Sequence, residues 1–168
     1  MLLLTAIEQL RAELRGVESL DISDKELTYY VNRSCFLVNT LLINVAHPSV
    51  VKEKVINTGE DYKTVLPNFL RFIGNYPIRF SNGLISVEND TTSCLVRYYS
   101  NVSPLVLAEN PELPIPLDFQ DIAIMYARIS ALNRQDMDTE PDQLLLQNTL
   151  VALGFIAQPT TEERVGVK

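Results

Sequence analysis

Leu41-Leu42-Ile43-Asn44-Val45-Ala46-His47-Pro48-Ser49-Val50-Val51-Lys52-Glu53-Lys54-Val55-Ile56 is where the chain changes its rules. Up to Asn44 the apolar residues recur at helical spacing. Leu27, Tyr30, Val31, Ser34, Val38, Leu41 and Leu42 make one wide stripe. His47-Pro48 stops it, because the residue before a proline avoids helical angles. From Ser49 the period becomes two, with Val51, Glu53 and Val55 alternating with Lys52, Lys54 and Ile56 in a β-branched segment. A helical region therefore gives way to strands within a few residues, which predicts an α+β chain.

Upstream, Leu3, Ile7, Leu10 and Leu14 predict a first helix with one buried stripe, stopped near Gly16. Ser23 with Glu26 three residues on is a capping box, so the second helix begins there. Downstream, Asn57-Thr58-Gly59-Glu60-Asp61 is a turn, Leu66-Pro67 a break, and Phe69 to Ile73 a short strand. Ile78-Arg79-Phe80, Ser81-Asn82-Gly83 and Leu84-Ile85-Ser86-Val87 form a hairpin, since Asn-Gly accepts positive φ cheaply. Leu95 to Tyr99 is a further strand. These strands predict one small antiparallel sheet, too small to stand alone.

Pro111, Pro114 and Pro116 stiffen a linker. Asp118 is the expected N-cap of a third helix carrying Phe119, Ile122, Ala123, Tyr126, Ile129, Ala131 and Leu132. Apolar on more than half its circumference, that helix must be central or shared between subunits. Thr139 is the expected cap of a fourth, with Pro141 and Asp142 in its first turn, a stripe of Leu145, Leu146, Leu150 and Leu153, and Gly154 as its stop. The resulting scheme is a bundle of about four helices (1–46 and 117–154) with an antiparallel β-rich insertion (48–104), forming one domain over 1–155. An extended C-terminal tail over 156–168 is not expected to fold alone: it either stays flexible or becomes ordered on a partner.

Chemistry-bearing patterns are sparse. The only histidine, His47, sits at a loop start, which reads as a cap. Cys35 and Cys94 have no metal or redox spacing and read as reduced thiols packed as small hydrophobes. Asp136, Asp138, Glu140 and Asp142 alternate like a calcium loop. Its sixth and twelfth positions, however, hold Pro141 and Gln147 where glycine and a bidentate glutamate belong. No phosphate loop, dinucleotide fingerprint or nucleophile elbow occurs. The expectation is no enzyme, no catalytic residue, no metal and no cofactor.

Residues 1–47 carry four basic and six acidic side chains, 48–104 six and five, and 105–168 four and ten, for a net charge of −7. That balance opposes tight, sequence-independent DNA binding. No run of about 18 apolar residues occurs, so no membrane span is expected. Met1 to Glu8 lacks the basic start of a signal peptide. Arg71-Phe72, Arg79-Phe80 and Arg97-Tyr98-Tyr99 set arginines beside aromatics. Stacking on nucleic acid is one reading. The other turns Phe80 into the core and leaves Arg71, Arg79 and Arg97 for water or a neighbouring subunit. In the tail, Phe155, Ile156, Arg164, Val165 and Val167 are the candidate partner contacts.

Tyr62-Lys63-Thr64-Val65-Leu66-Pro67-Asn68-Phe69-Leu70, then Tyr98-Tyr99, Pro104-Leu105, Leu113-Pro114-Ile115-Pro116, Tyr126-Ala127 and Ala131-Leu132 follow one another in a set order. Over residues 1–155 this layout resembles the head-to-tail adaptor (connector) proteins of tailed bacteriophages. It departs from them in lacking a long C-terminal extension. The resemblance implies a small helical bundle with a β-rich insertion and no catalysis or cofactor. It implies about a dozen copies in a ring below the portal protein, extending a channel through which DNA passes without specific binding and docking the tail or a stopper protein. It places the protein in the virion neck, made in the host bacterial cytoplasm. A tail-completion or stopper protein is the alternative within phage necks, and a ligand-binding or enzymatic α+β domain the alternative outside them.

Overall fold

A computed structural model describes residues 1–14, 22–88 and 92–156. It is α+β, with a β-rich insertion between two helical regions. The chain divides into two compact units. One takes 1–34, 105–113 and the chain from Leu117. The other takes Cys35–Pro104 and Pro114–Pro116.

The first unit is helical. Helix α1 (Leu3–Leu14) buries Leu3, Ala6, Ile7, Leu10 and Leu14, the stripe its spacing predicts. Helix α2 (Asp24–Asn44) contributes its first half. Its capping box is present. Ser23 Oγ accepts from the Glu26 amide at 3.3 Å, and Glu26 Oε2 accepts from the Ser23 amide at 3.3 Å. The chain over 105–113 is stitched down at both ends. Asn32 grips Leu105, donating Nδ2–H to its carbonyl at 3.0 Å and accepting its amide at 2.6 Å. Leu3 N–H reaches the Pro111 carbonyl at 2.9 Å, and Leu113 N–H reaches that of Met1 at 2.9 Å.

The third of the predicted helices starts later than Asp118 suggests. Leu117–Phe119 forms a 3₁₀ turn containing Asp118, and the α-helix begins after Phe119 with no side-chain cap. Burial of the Phe119 ring, which meets Phe155 edge-on at 5.6 Å, outweighs the cap that Asp118 offers. In the second unit the α2 half buries Cys35, Val38, Leu42 and Ile43, and Asn39 donates to the Ser100 carbonyl at 3.2 Å. Strand β1 (Lys52–Asn57) follows, then the single helical turn α3 (Tyr62–Val65), β2 (Phe69–Phe72), β3 (Ile78–Ser81), β4 (Leu84–Val87) and β5 (Ser93–Ser100). The helical turn was not anticipated. Asp61 nucleates it by accepting from the amide and hydroxyl of Thr64 at 2.9 and 3.0 Å.

The one predicted sheet is two. Three strands pair antiparallel in the order β1-β5-β2, and β3-β4 stand as a hairpin. The outer edge of β4 is taken by the turn after β1: Gly59 N–H donates to the Ile85 carbonyl at 2.8 Å, and Ile85 N–H to that of Glu60 at 2.9 Å. Backbone valences that would have merged the sheets are spent there. Val96 and Tyr98 of β5 alternate inward to join Ile56, Leu66, Ile85 and Val87 in the core.

The two helices closing the chain return to the first unit. Helix α4 (Gln120–Arg134) buries Ile122, Ala123, Ile124, Ala127, Ile129, Ala131 and Leu132, and packs against both α1 and the last helix, so it is central. Helix α5 (Glu140–Ala152) has Pro141 and Asp142 in its first turn. Thr139 sits at the cap position but spends its hydroxyl on Asn133 and Gln143, while Asp138 accepts the Glu140 amide at 2.9 Å. Of the expected apolar stripe only Leu146 and Leu150 are buried. Leu145 and Leu153 face solvent. Among the described residues no helix is long and apolar enough to cross a membrane.

Candidate partner-binding surface

The β5 register decides where the arginines go. Glu53 stands directly opposite Arg97, and Arg71 opposite Tyr99. Directly paired residues share a face, and alternate residues along a strand do too. Arg71 and Arg97 therefore lie together on the outer face of the three-stranded sheet, with the exposed pair Val55 and Leu95. Arg97 Nε is 3.0 Å from Glu53 Oε1. The Arg71 guanidinium lies 5.4 Å from the Tyr99 ring centre, a cation–π contact. Arg79 is apart from them on the hairpin, paired with Glu88.

Phe80 points inward, opposite buried Ile85, but strand β3 leaves it 43% exposed. Its ring forms the rim of an aromatic cluster, 5.2 Å from Tyr62 and 6.0 Å from Phe72 in near-parallel stacking. The expectation of a core Phe80 is thus corrected to a rim position. Phe155 is occupied by Phe119. Ile156 is exposed. Arg164, Val165 and Val167 lie outside the described residues.

Ionisable groups are used in folding. His47 caps a 3₁₀ turn (Pro48–Val50), where its Nδ1 accepts the Ser49 amide at 3.3 Å. Asp142 takes Arg128 at 3.1 Å. Hydrogen bonds from Asn57 hold the Glu60 carboxyl below its ordinary value, and those from Thr64 do the same for Asp61. Burial pushes the Cys35 thiol up to about 12, so it stays protonated and inert. Among the described residues no three His, Cys, Asp or Glu side chains gather as a metal site.

Sequence reasoning missed the exposed flank of α5. Leu144, Leu145 and Leu153 are each at least half exposed, and Ile156 continues the row. The signal was legible: no charged residue occurs between Asp142 and Glu162. A second exposed row, Tyr29, Arg33 and Phe36, runs along α2. Comparison of the sequence with protein-family models and with curated proteins gives no match.

Proposed function

We propose that this chain is a structural subunit of the neck of a tailed bacteriophage, a head-to-tail adaptor that assembles as a ring below the portal. The observation that carries the reading is the element order. Two helices, a β-rich insertion and, after Leu113-Pro114-Ile115-Pro116, a closing helical pair follow in the order that the resemblance implies, which supports this reading. Exposed apolar rows on α2, on α5 and on the outer sheet face suit a protein that works by contact with partners. Arg71, Arg79 and Arg97 are held by an aromatic ring and carboxylates, an arrangement better fitted to a protein interface than to gripping phosphate.

The test is co-sedimentation of the purified chain with tail-less capsids that carry a portal. The full chain is expected to travel with the capsids, and a chain lacking residues 156–168 to lose that binding. Undiminished binding by the shortened chain removes the tail from the mechanism. Failure of the full chain to bind refutes the adaptor role, and binding to tail tubes in its place makes the protein a tail-completion or stopper subunit.

A further inference from the structure

Two rows of exposed side chains in the helical unit complement each other in charge. On α5, Leu144 lies one turn beyond Glu140, and Leu145 is equally open; Leu144 and Leu145 are 57% and 56% exposed. Glu140 forms no ion pair among the described residues. On α2, Tyr29 is 58% exposed and lies one turn from Lys25 on one side and from Arg33 on the other. Neither cation has an ion-pair partner among the described residues. One row is acidic and aliphatic, the other basic and aromatic. Tyrosine and arginine are among the residues enriched where interfaces draw their binding energy.

We infer that the α5 row of one copy seats against the α2 row of the next, with Leu144 and Leu145 on Tyr29 and with Glu140 and Asp138 facing Lys25 and Arg33. The inference rests on the ring reading above and names its seam. The two rows differ, and when each meets a different neighbouring copy the contact is heterologous and can propagate around a closed ring. Pairing of either row with its own copy would bring like charges together.

The full chain, half of it 15N-labelled, is treated at about 1 mM with a zero-length carbodiimide, which joins a carboxylate to an amine only in direct contact. Mixed-isotope peptides linking Lys25 to Asp138 or Glu140 are expected. In sedimentation equilibrium, Arg33→Glu should weaken self-association about tenfold, and adding Glu140→Arg should restore it to within about threefold. Both sites are exposed, and circular dichroism checks that each variant folds. Absence of the mixed-isotope link, or association unchanged by Arg33→Glu, overturns the inference. Carboxylates joined to Lys168 of the same chain would make the tail the occupant and also overturn it. Should any of these occur while capsid binding persists, only the seam falls. Loss of capsid binding as well removes the ring reading with it.

Discussion

At the scale of the residue, the ends of three helices use one device with three different side chains. After α2, His47 N–H bonds the Leu42 carbonyl at 2.8 Å and Ala46 N–H that of Ile43 at 3.1 Å. After α4 and α5 the same double bonding recurs around Asp136 and Gly154. All three residues have positive φ, which only glycine adopts freely. Ala46 has neither that freedom nor a polar side chain to compensate. Relief of its left-handed strain is worth about 1–2 kcal/mol. Glycine's extra freedom in the unfolded chain returns about 0.4–1 kcal/mol of that. Ala46→Gly should therefore stabilise the protein by about 0.5–1 kcal/mol, read from urea midpoints at unchanged slope. Gly83→Ala runs the opposite way. A new Cβ would meet only ordinary contact with Asp61, so the net loss, about 0.5–1 kcal/mol after the same unfolded-state offset, comes from φ. Cys35 adds a pH dependence. Its folded thiol is raised to about 12 from an ordinary 9.0, so its contribution is complete below pH 9.0 and is lost as pH climbs toward 12. Relative to Cys35→Ala, the wild type should lose up to about 1.4 kcal/mol per pH unit in that window, measured by urea unfolding. Parallel profiles for the two proteins would show that the thiol is not desolvated.

At the scale of the element, the capping box of α2 is a clean case of local sequence dictating a boundary, and Ser23→Ala should cost about 1 kcal/mol in chemical denaturation. Most of the fold was legible in this way. The α1 stripe, the end of α2 near Asn44, the Asn82-Gly83 turn and the strand at Leu95 to Tyr99 each depend on neighbours within a few residues. The misses depended on distant ones. Asp118 looks like a cap in the sequence, yet Phe119 is buried with Phe155, and that packing moves the helix start. The hairpin reads as part of a single sheet until the backbone of 59–60 takes its free edge. Leu145 and Leu153 fit a helical stripe, but α5 needs only Leu146 and Leu150 to cover its side of α4. The candidate surface was half legible for the same reason. Strand alternation correctly turns Arg97 outward, whereas the pairing with Glu53 and the stacking of Arg71 on Tyr99 require the register between strands. The Lys52, Glu53 and Lys54 side chains also charge an edge strand, which discourages unplanned pairing through β1.

At the scale of the whole molecule, charge separates contact with protein from contact with DNA. The chain carries 14 basic and 21 acidic side chains. The three arginines set beside aromatics in the strand region are already committed: Arg97 to Glu53, Arg79 to Glu88 and Arg71 to the face of Tyr99. Binding to duplex DNA draws its affinity from phosphates neutralised by free cations, each releasing condensed counterions. Redirecting these arginines would mean breaking their present contacts and working against a net charge of −7. A subunit lining or rimming a DNA channel gains from that balance, because a duplex held by many such contacts would not slide. The full chain should leave duplex DNA unretarded in gel-shift assays at about 0.15 M salt. At lower salt the long-range repulsion is screened less, so retardation should remain absent there too. Replacing Glu53 and Glu88 with glutamine would free Arg97 and Arg79 and remove two negative charges, and any weak retention should appear first in that variant. Tight binding by the unaltered chain, weakening steeply as salt rises, would mean that its cations reach phosphates despite their partners and would contradict a passive channel wall.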